Sequence, residues 1–360
     1  MKISFLDDEP EIFPLQYGGK ARTITNLAKE FIKLPEVEEV KILSKSIFSN
    51  KKEFIEDDVK YVVLNDEDII EKITEEINRV DILNIHCCSF TFPNIVGKAK
   101  KMYFLHDVLI ATAEKGSHLD KSLGGNFDAV IAPSEFAKSI YDKYKKMING
   151  KVDCCVIPRH INTDLFYELS IDEQKKAFDR LPIIKKIQKE YEHILFFPSR
   201  PIEEKGINYL IELAKKIDKK EKKFCIIGPF SNEKNLPENF IDTGWIESKD
   251  LKYYYSISDV TLNLSELPES FSQVCIESTY CGTPVVAFES GNIPYLSNEI
   301  GNIFIVNKNV EDIKQGIDKA IEVKNNQEIK NKVKYEIEKK YSVDKVVNNY
   351  MQLYKKYMEE

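Results

Sequence analysis

The sequence predicts an α/β protein made of two doubly wound parallel-sheet domains. Short apolar runs alternate with amphipathic helical stretches along nearly the whole chain. Several of those runs are continuously apolar, the pattern of strands covered on both faces. The alternation breaks once, between about Tyr167 and His193, and then restarts.

In the first half the expected strands are Lys2–Leu6, Val40–Leu43, Tyr61–Leu64, Ile82–His86, Met102–His106, Ala129–Ala132 and Cys154–Ile157. Helical patterns over Thr23–Ile32, Ile69–Asn78 and Ser134–Tyr144 separate them, with Ser134 placed as an N-cap. In the second half the expected strands are Ile194–Pro198, Phe224–Gly228, Ile241–Trp245, Val260–Leu264, Pro284–Ala287 and Asn302–Val306. Helices are expected over Gly206–Ile217, Lys249–Ile257 and Ser270–Cys281, and three more close the chain. The division that follows is an N-terminal domain over 1–168, an interdomain connection over 169–193 and a C-terminal domain over 194–340. Residues 341–360 form a last helix, expected to pack back on the N-terminal domain.

A chain of 360 residues is comfortable as two cores. Its formal charge of -7 argues against nucleic acid as the main partner. No apolar run reaches the 18 residues of a membrane span, and the N-terminus lacks the apolar region of a signal peptide, so a cytoplasmic protein is expected. The seven cysteines include the adjacent pairs Cys87-Cys88 and Cys154-Cys155, which point to opposite faces of a strand and make no metal clamp. Asp7, Asp8, Glu9 and Glu11 show no ligand spacing and read as a solvated loop.

Open parallel sheets bind ligands beyond the carboxyl ends of their strands, so the loops there are where chemistry is expected. Arg200 ends one strand and Lys205 stands where the next helix begins. Two cations beside a helix N-terminus suit a pyrophosphate, though both could instead pair with Glu203 and Glu204. Glu269 follows strand Val260–Leu264, and Glu277 lies eight positions on, a little over two helical turns. On a continuous helix both carboxylates would face the site mouth, where a carboxylate can accept from two hydroxyls of a sugar or ribose. Taken alone, the pair better fits exposed acids at a helix start.

The segment continues as Cys281-Gly282-Thr283-Pro284-Val285-Val286-Ala287 and the turn Ser290-Gly291-Asn292-Ile293-Pro294. With these residues the chain resembles the family 4 retaining glycosyltransferases (glycosyl transferases group 1). That family shows two glutamates separated by seven residues, a Gly-Thr-Pro-Val-Val run, a glycine turn before proline, and an Arg-x4-Lys-Gly motif, matched here by Arg200 and Lys205-Gly206. Tyr17-Gly18-Gly19-Lys20-Ala21 looks like its glycine loop, Asp128–Ser134 like its acceptor-domain strand, and Ile157-Pro158 with Asn162–Phe166 like its interdomain crossing.

The resemblance implies the GT-B fold, two Rossmann-like domains facing across a cleft, the first binding acceptor and the second a UDP- or GDP-sugar. It implies that Arg200 and Lys205 hold the donor pyrophosphate, that Glu277 accepts from the ribose, and that Glu269 holds the transferred sugar. Gly18 and Gly19 would close on the phosphates, His106 would lie near the sugar, and Trp245 and Ile246 would meet the base. Gly228, Ser270, Phe271 and Ser272 complete the expected donor contacts. No cofactor or metal is expected, because side-chain cations replace Mg2+ in such a site. Departures stand at Ser272, where the family has glycine, at Asn292, at Tyr295, and at Arg159-His160, where Asn-Gly is usual.

His86 ends a strand as His106 does and reads either as a packed structural residue or as part of the site. Lys98, Lys100, Lys101, Lys143, Lys145, Lys146 and Lys151 give the first half cations that fit a solvated face or a peripheral membrane contact. The activity expected is hexosyl transfer to a glycan, lipid or small-molecule acceptor with retention of configuration. The competing readings are a nucleotide-sugar epimerase of the same fold and a non-catalytic sugar-binding subunit.

Overall fold

The computed structural model describes residues 1–10, 18–45, 53–65, 67–87, 96–106, 127–148, 150–181, 187, 189–216, 224–230 and 236–359. Glu11, Tyr17, Cys88 and Ile217, named above, lie outside them. The chain divides into two compact units, Met1–His160 with Val343–Glu360, and Ile161–Ser342.

The first unit is built on eight strands: β1 (Lys2–Pro10), β2 (Glu39–Lys45), β3 (Glu53–Glu56), β4 (Val59–Leu64), β5 (Ile82–Cys87), β6 (Lys100–Phe104), β7 (Ala129–Ala132) and β8 (Cys154–Val156). Their order across the sheet is β3-β4-β2-β1-β5-β6-β7-β8. All neighbours are parallel except β3 and β4. Alternation along β1 sends Ile3 and Phe5 to one core and Leu6 to the other, which is why the strand reads as continuously apolar. Helix Gly18–Phe31 covers the first face through Ile24, Leu27 and Phe31, joined by Val346, Val347, Tyr350 and Tyr354 of helix Val343–Glu359. Helices Ile69–Arg79 and Glu135–Ile148 cover the second face. Ser134 caps the latter, accepting from the Ala137 amide at 3.0 Å.

The antiparallel hairpin β3–β4 was not visible in the pattern, because Glu53–Asp58 reads as polar. Its turn has Asp57 and Asp58 both at positive φ (49° and 62°), the requirement of a type I′ turn, which aspartate tolerates. Phe54 stacks on Tyr61 across it with centroids 4.8 Å apart.

The second unit carries β9 (His193–Phe196), β10 (Phe224–Gly228), β11 (Phe240–Asp242), β12 (Val260–Asn263), β13 (Val285–Phe288) and β14 (Ile303–Val306). They form one parallel sheet in the order β11-β10-β9-β12-β13-β14. Apolar clusters again lie on both faces, one around Phe196, Tyr255, Phe271 and Ile276, the other around Leu195, Leu210, Leu262 and Ile313.

The expected connection over 169–193 is corrected. The chain crosses at His160–Ile161, and 161–193 belongs to the second unit, with Phe166 and Ile187 in its core and helix Ile171–Arg180 between them. Its charged surface hid those few buried anchors. Among the described residues no helix is long and apolar enough to cross a membrane.

Candidate functional site

Strand order places the site. In the second unit the order reverses between β9 and β12, which pair directly at Leu195 with Val260 and Phe196 with Thr261. The loops that leave their carboxyl ends, 197–206 and 264–272, therefore emerge side by side at a topological switch point. Arg200 and Lys205 sit on the first loop, and Glu269 on the second.

The two loops are tied together. Lys205 Nζ lies 2.7 Å from Glu269 Oε1 and 3.3 Å from Ser265 Oγ. The Glu266 amide donates to the Glu204 carbonyl at 2.9 Å. Lys205 ends a short 3-10 turn, Glu203–Lys205, closed by Gly206 at φ 85°. A Cβ on Gly206 would stand 2.3 Å from the Leu264 carbonyl oxygen, so only glycine lets the loops come this close. Arg200 is exposed beside them.

A third loop, after β13, braces the glutamate. The Asn292 amide donates to the Glu269 carbonyl at 2.8 Å, Asn292 Nδ2 to the Phe271 carbonyl at 3.2 Å, and Ser290 Oγ to the Leu267 carbonyl at 2.6 Å. A Cβ on Gly291 would meet the Glu269 carbonyl oxygen at 2.3 Å. This turn thus holds the loop that carries Glu269, and Asn292, a departure from the family pattern, supplies one of its clamps.

Ser270–Cys281 is not one helix. It begins at Gln273, because Ser272 is left-handed at φ 69°. The side chain answers that cost locally: Ser272 Oγ accepts from Asn263 Nδ2 at 2.8 Å and lies 3.2 Å from Cys275 Sγ. The helical count from Glu269 to Glu277 therefore does not apply. Glu277 is buried and accepts from the Tyr255 hydroxyl at 3.2 Å, whereas Glu269 keeps part of its surface open. Phe271 is a core residue packed edge-on against Tyr341. Gly228 lets β10 turn beneath Phe197, whose carbonyl a Cβ would approach to 2.5 Å. Trp245 is 54% exposed on the following segment, and Ile246 packs against the core. Ser265 was not singled out in the sequence; its position straight after β12 was the available signal.

In the first unit the order reverses between β1 and β5. Gly18 and Gly19 are not a free loop here: they form the first turn of helix Gly18–Phe31. Lys20 reaches back to Asp7 at 3.0 Å. His86 at the end of β5 and His106 after β6 meet through their rings, Nδ1 to Nε2 at 2.6 Å. Arg159 Nη2 lies 2.9 Å from His106 Nδ1. Burial first, then the Lys20 and Arg159 charges, hold the His86 pKa well below 6.5. His106 keeps some exposed surface but its nitrogens are enclosed, and burial, Arg159, His86 and Lys20 hold it below 6.5 too. Asp7, Lys20, His86, His106 and Arg159 thus gather at the strand ends of this unit.

Known proteins share this architecture and part of this sequence. Residues 179–340 match the family described as glycosyl transferases group 1. A 41.2 kDa uncharacterized protein of the cps region of Klebsiella pneumoniae is 27% identical over 260 residues, 64% of this chain and 69% of that one. Sucrose-phosphate synthase from Thermosynechococcus elongatus superposes with a TM-score of 0.75 at 14% identity, covering 99% of both chains. Anabaena HepE, crystallised with UDP-glucose, superposes with a TM-score of 0.74 at 16% identity, covering 98% of this chain and 99% of its own. The chain has the GT-B fold.

Proposed function

We propose that this protein transfers a hexosyl group from a UDP- or GDP-sugar, with retention, to a glycan, lipid or small-molecule acceptor. The observation that carries the reading is the contact of Lys205 with Glu269, which brings two motifs 64 residues apart to one point beside Arg200. In this reading Lys205 holds a phosphate oxygen of the donor with Arg200, and Glu269, released from Lys205, receives sugar hydroxyls.

Departure of the nucleoside diphosphate builds negative charge on the β-phosphate while the sugar becomes oxocarbenium-like. Arg200 and Lys205 stabilise that charge where it grows, which lowers the barrier without a metal. Charge-assisted hydrogen bonds of this kind contribute on the order of 1.5–3 kcal/mol each. Exposed Trp245 offers a stacking face for the base. Anabaena HepE binds UDP-glucose on the same fold, which favours a nucleotide-sugar donor.

The test is incubation with a panel of nucleotide sugars, with and without acceptors. Release of UDP or GDP, lost in the double variant Arg200→Ala with Lys205→Ala while the fold persists, is the expected result. A changed sugar without release of nucleotide, or binding without either, would overturn the proposal.

A further inference from the structure

We propose that Arg159 and His86 are positioning residues that lock His106 as a neutral imidazole carrying its proton on Nε2. The inference rests on reading the strand ends of the first unit as part of the transfer site, although its spectroscopic test does not need that reading.

The argument is one of donors and acceptors. A guanidinium has five N–H donors and no acceptor. Arg159 Nη2 at 2.9 Å from His106 Nδ1 therefore requires a lone pair on Nδ1. A neutral imidazole has one N–H, so that proton is on Nε2. Nε2 faces His86 Nδ1 at 2.6 Å, and His86 must accept there. The proton of His86 then lies on its own Nε2, a buried atom without a hydrogen-bond partner among the described residues. An imidazolium at His106 would point an N–H straight at the Arg159 fork and break the bond.

The surroundings support the lock. His86 is 1% exposed, stacked on Phe104 at 4.0 Å and tilted against Phe5 at 5.5 Å. The His86 ring cannot turn without displacing those neighbours. The charged and titratable groups facing the pair are Lys20 with its partner Asp7 from the first helix and β1, and Arg159 after β8. Tyr350 packs on Phe104 from helix Val343–Glu359, held neutral by its burial. Arg159 stands where the family pattern has Asn-Gly, so the lock is a property of this chain rather than a consequence of the motif it resembles.

His106 is then a fixed donor-type ring that stays uncharged through neutral pH. It positions ligand by shape and packing and takes no proton at Nδ1. His86 and Arg159 act through it.

Uniformly 15N-histidine-labelled full chain tests this, since only five histidines are present. His106→Asn and His86→Asn assign the two rings. The expected wild-type spectrum shows His106 with a protonated Nε2 and a bare Nδ1, unchanged from about pH 5 to 8. In Arg159→Met the two tautomers mix and His106 gains protons at higher pH than in the wild type, although burial still holds it below its ordinary value; Arg159→Lys, which keeps a donor, restores the Nε2 form. A wild-type His106 protonated on Nδ1, or titrating near that ordinary value, overturns the proposal, as does an unchanged ring in folded Arg159→Met. If Arg159→Met does not fold, the wild-type spectrum and Arg159→Lys decide the matter. With a donor that turns over, Arg159→Met is expected to lose about 10- to 100-fold in kcat with little change in KM and to show an acid limb at higher pH than the wild type. Turnover with no such limb counts against the lock. No turnover with any nucleotide sugar sinks the function proposed above and leaves the spectroscopic result to stand.

Discussion

Lys205 and Glu269 form an ion pair at 2.7 Å across two loops that leave neighbouring strands at the reversal of the second sheet. Each is partly exposed, so the pair is screened and adds little to stability. Its place is better suited to exchanging one partner for a ligand.

Lys205→Met and Glu269→Gln should each lower donor turnover by about 100-fold while shifting unfolding free energy by less than about 1 kcal/mol. Nucleotide release and urea unfolding measured on the same preparations give the two numbers. Full turnover in either variant would remove the pair from the site.

Ser272 offers a clean separation of strain from bonding. Ser272→Gly and Ser272→Ala lose the same hydroxyl contacts to Asn263 and Cys275. Only the alanine keeps the left-handed penalty at φ 69°. The glycine variant should therefore be the more stable of the two by about 1 kcal/mol, read from chemical denaturation. Equal stabilities would mean the loop relaxes when the serine is removed.

Glu76 makes the first unit acid-sensitive. It is buried, accepts from Ser4 Oγ at 2.6 Å, and pairs with Lys41 at 3.1 Å and with Arg79. Burial alone would raise its pKa, but the bonds from Arg79, Ser4 and Lys41 outweigh it and hold the carboxyl below 4.5. A depressed folded value means stability present above the unfolded value and lost as pH falls through the folded one. Glu76→Gln should cost about 3 kcal/mol at neutral pH, because the largely buried Lys41 keeps only the longer contact to Glu39 at 3.9 Å, and should flatten the stability curve below pH 4.5. Unfolding midpoints from pH 3 to 7, at roughly one-unit steps, check both.

Tyr354 joins helix Val343–Glu359 to the sheet, its hydroxyl donating to Asn84 Oδ1 at 2.8 Å in the core. Tyr354→Phe should cost about 1–2 kcal/mol. Deleting 343–360 should leave the first unit molten, with loss of its near-UV signal and gain of dye binding.

Alternation of apolar runs and helices made the two parallel sheets legible, and the strand-end rule pointed to Arg200, Lys205 and Glu269 before any coordinates. What was hidden depended on single backbone angles or distant partners. Ser272 in a left-handed conformation moved the helix start and so turned Glu277 inward, which no helical count could show. The β3 hairpin depended on two aspartates at positive φ. Phe166 and Ile187 were too few apolar residues to mark 161–193 as part of a core. The meeting of His86 with Arg159 at His106 joins three elements that only the sheet order brings together.

The crossing points carry a consequence for synthesis. The chain leaves the first unit at His160 and returns at Val343, and Ile161 pairs with Ser342 while its amide donates to Tyr341 at 2.8 Å. The second unit is thus an insertion whose two ends already touch. As the chain leaves the ribosome, 161–342 has everything it needs before the first unit does, because Val346, Val347, Tyr350 and Tyr354 are made afterwards. The part begun first is finished last, and until then Phe31 and Phe104 lack Tyr350 and Tyr354 of the closing helix.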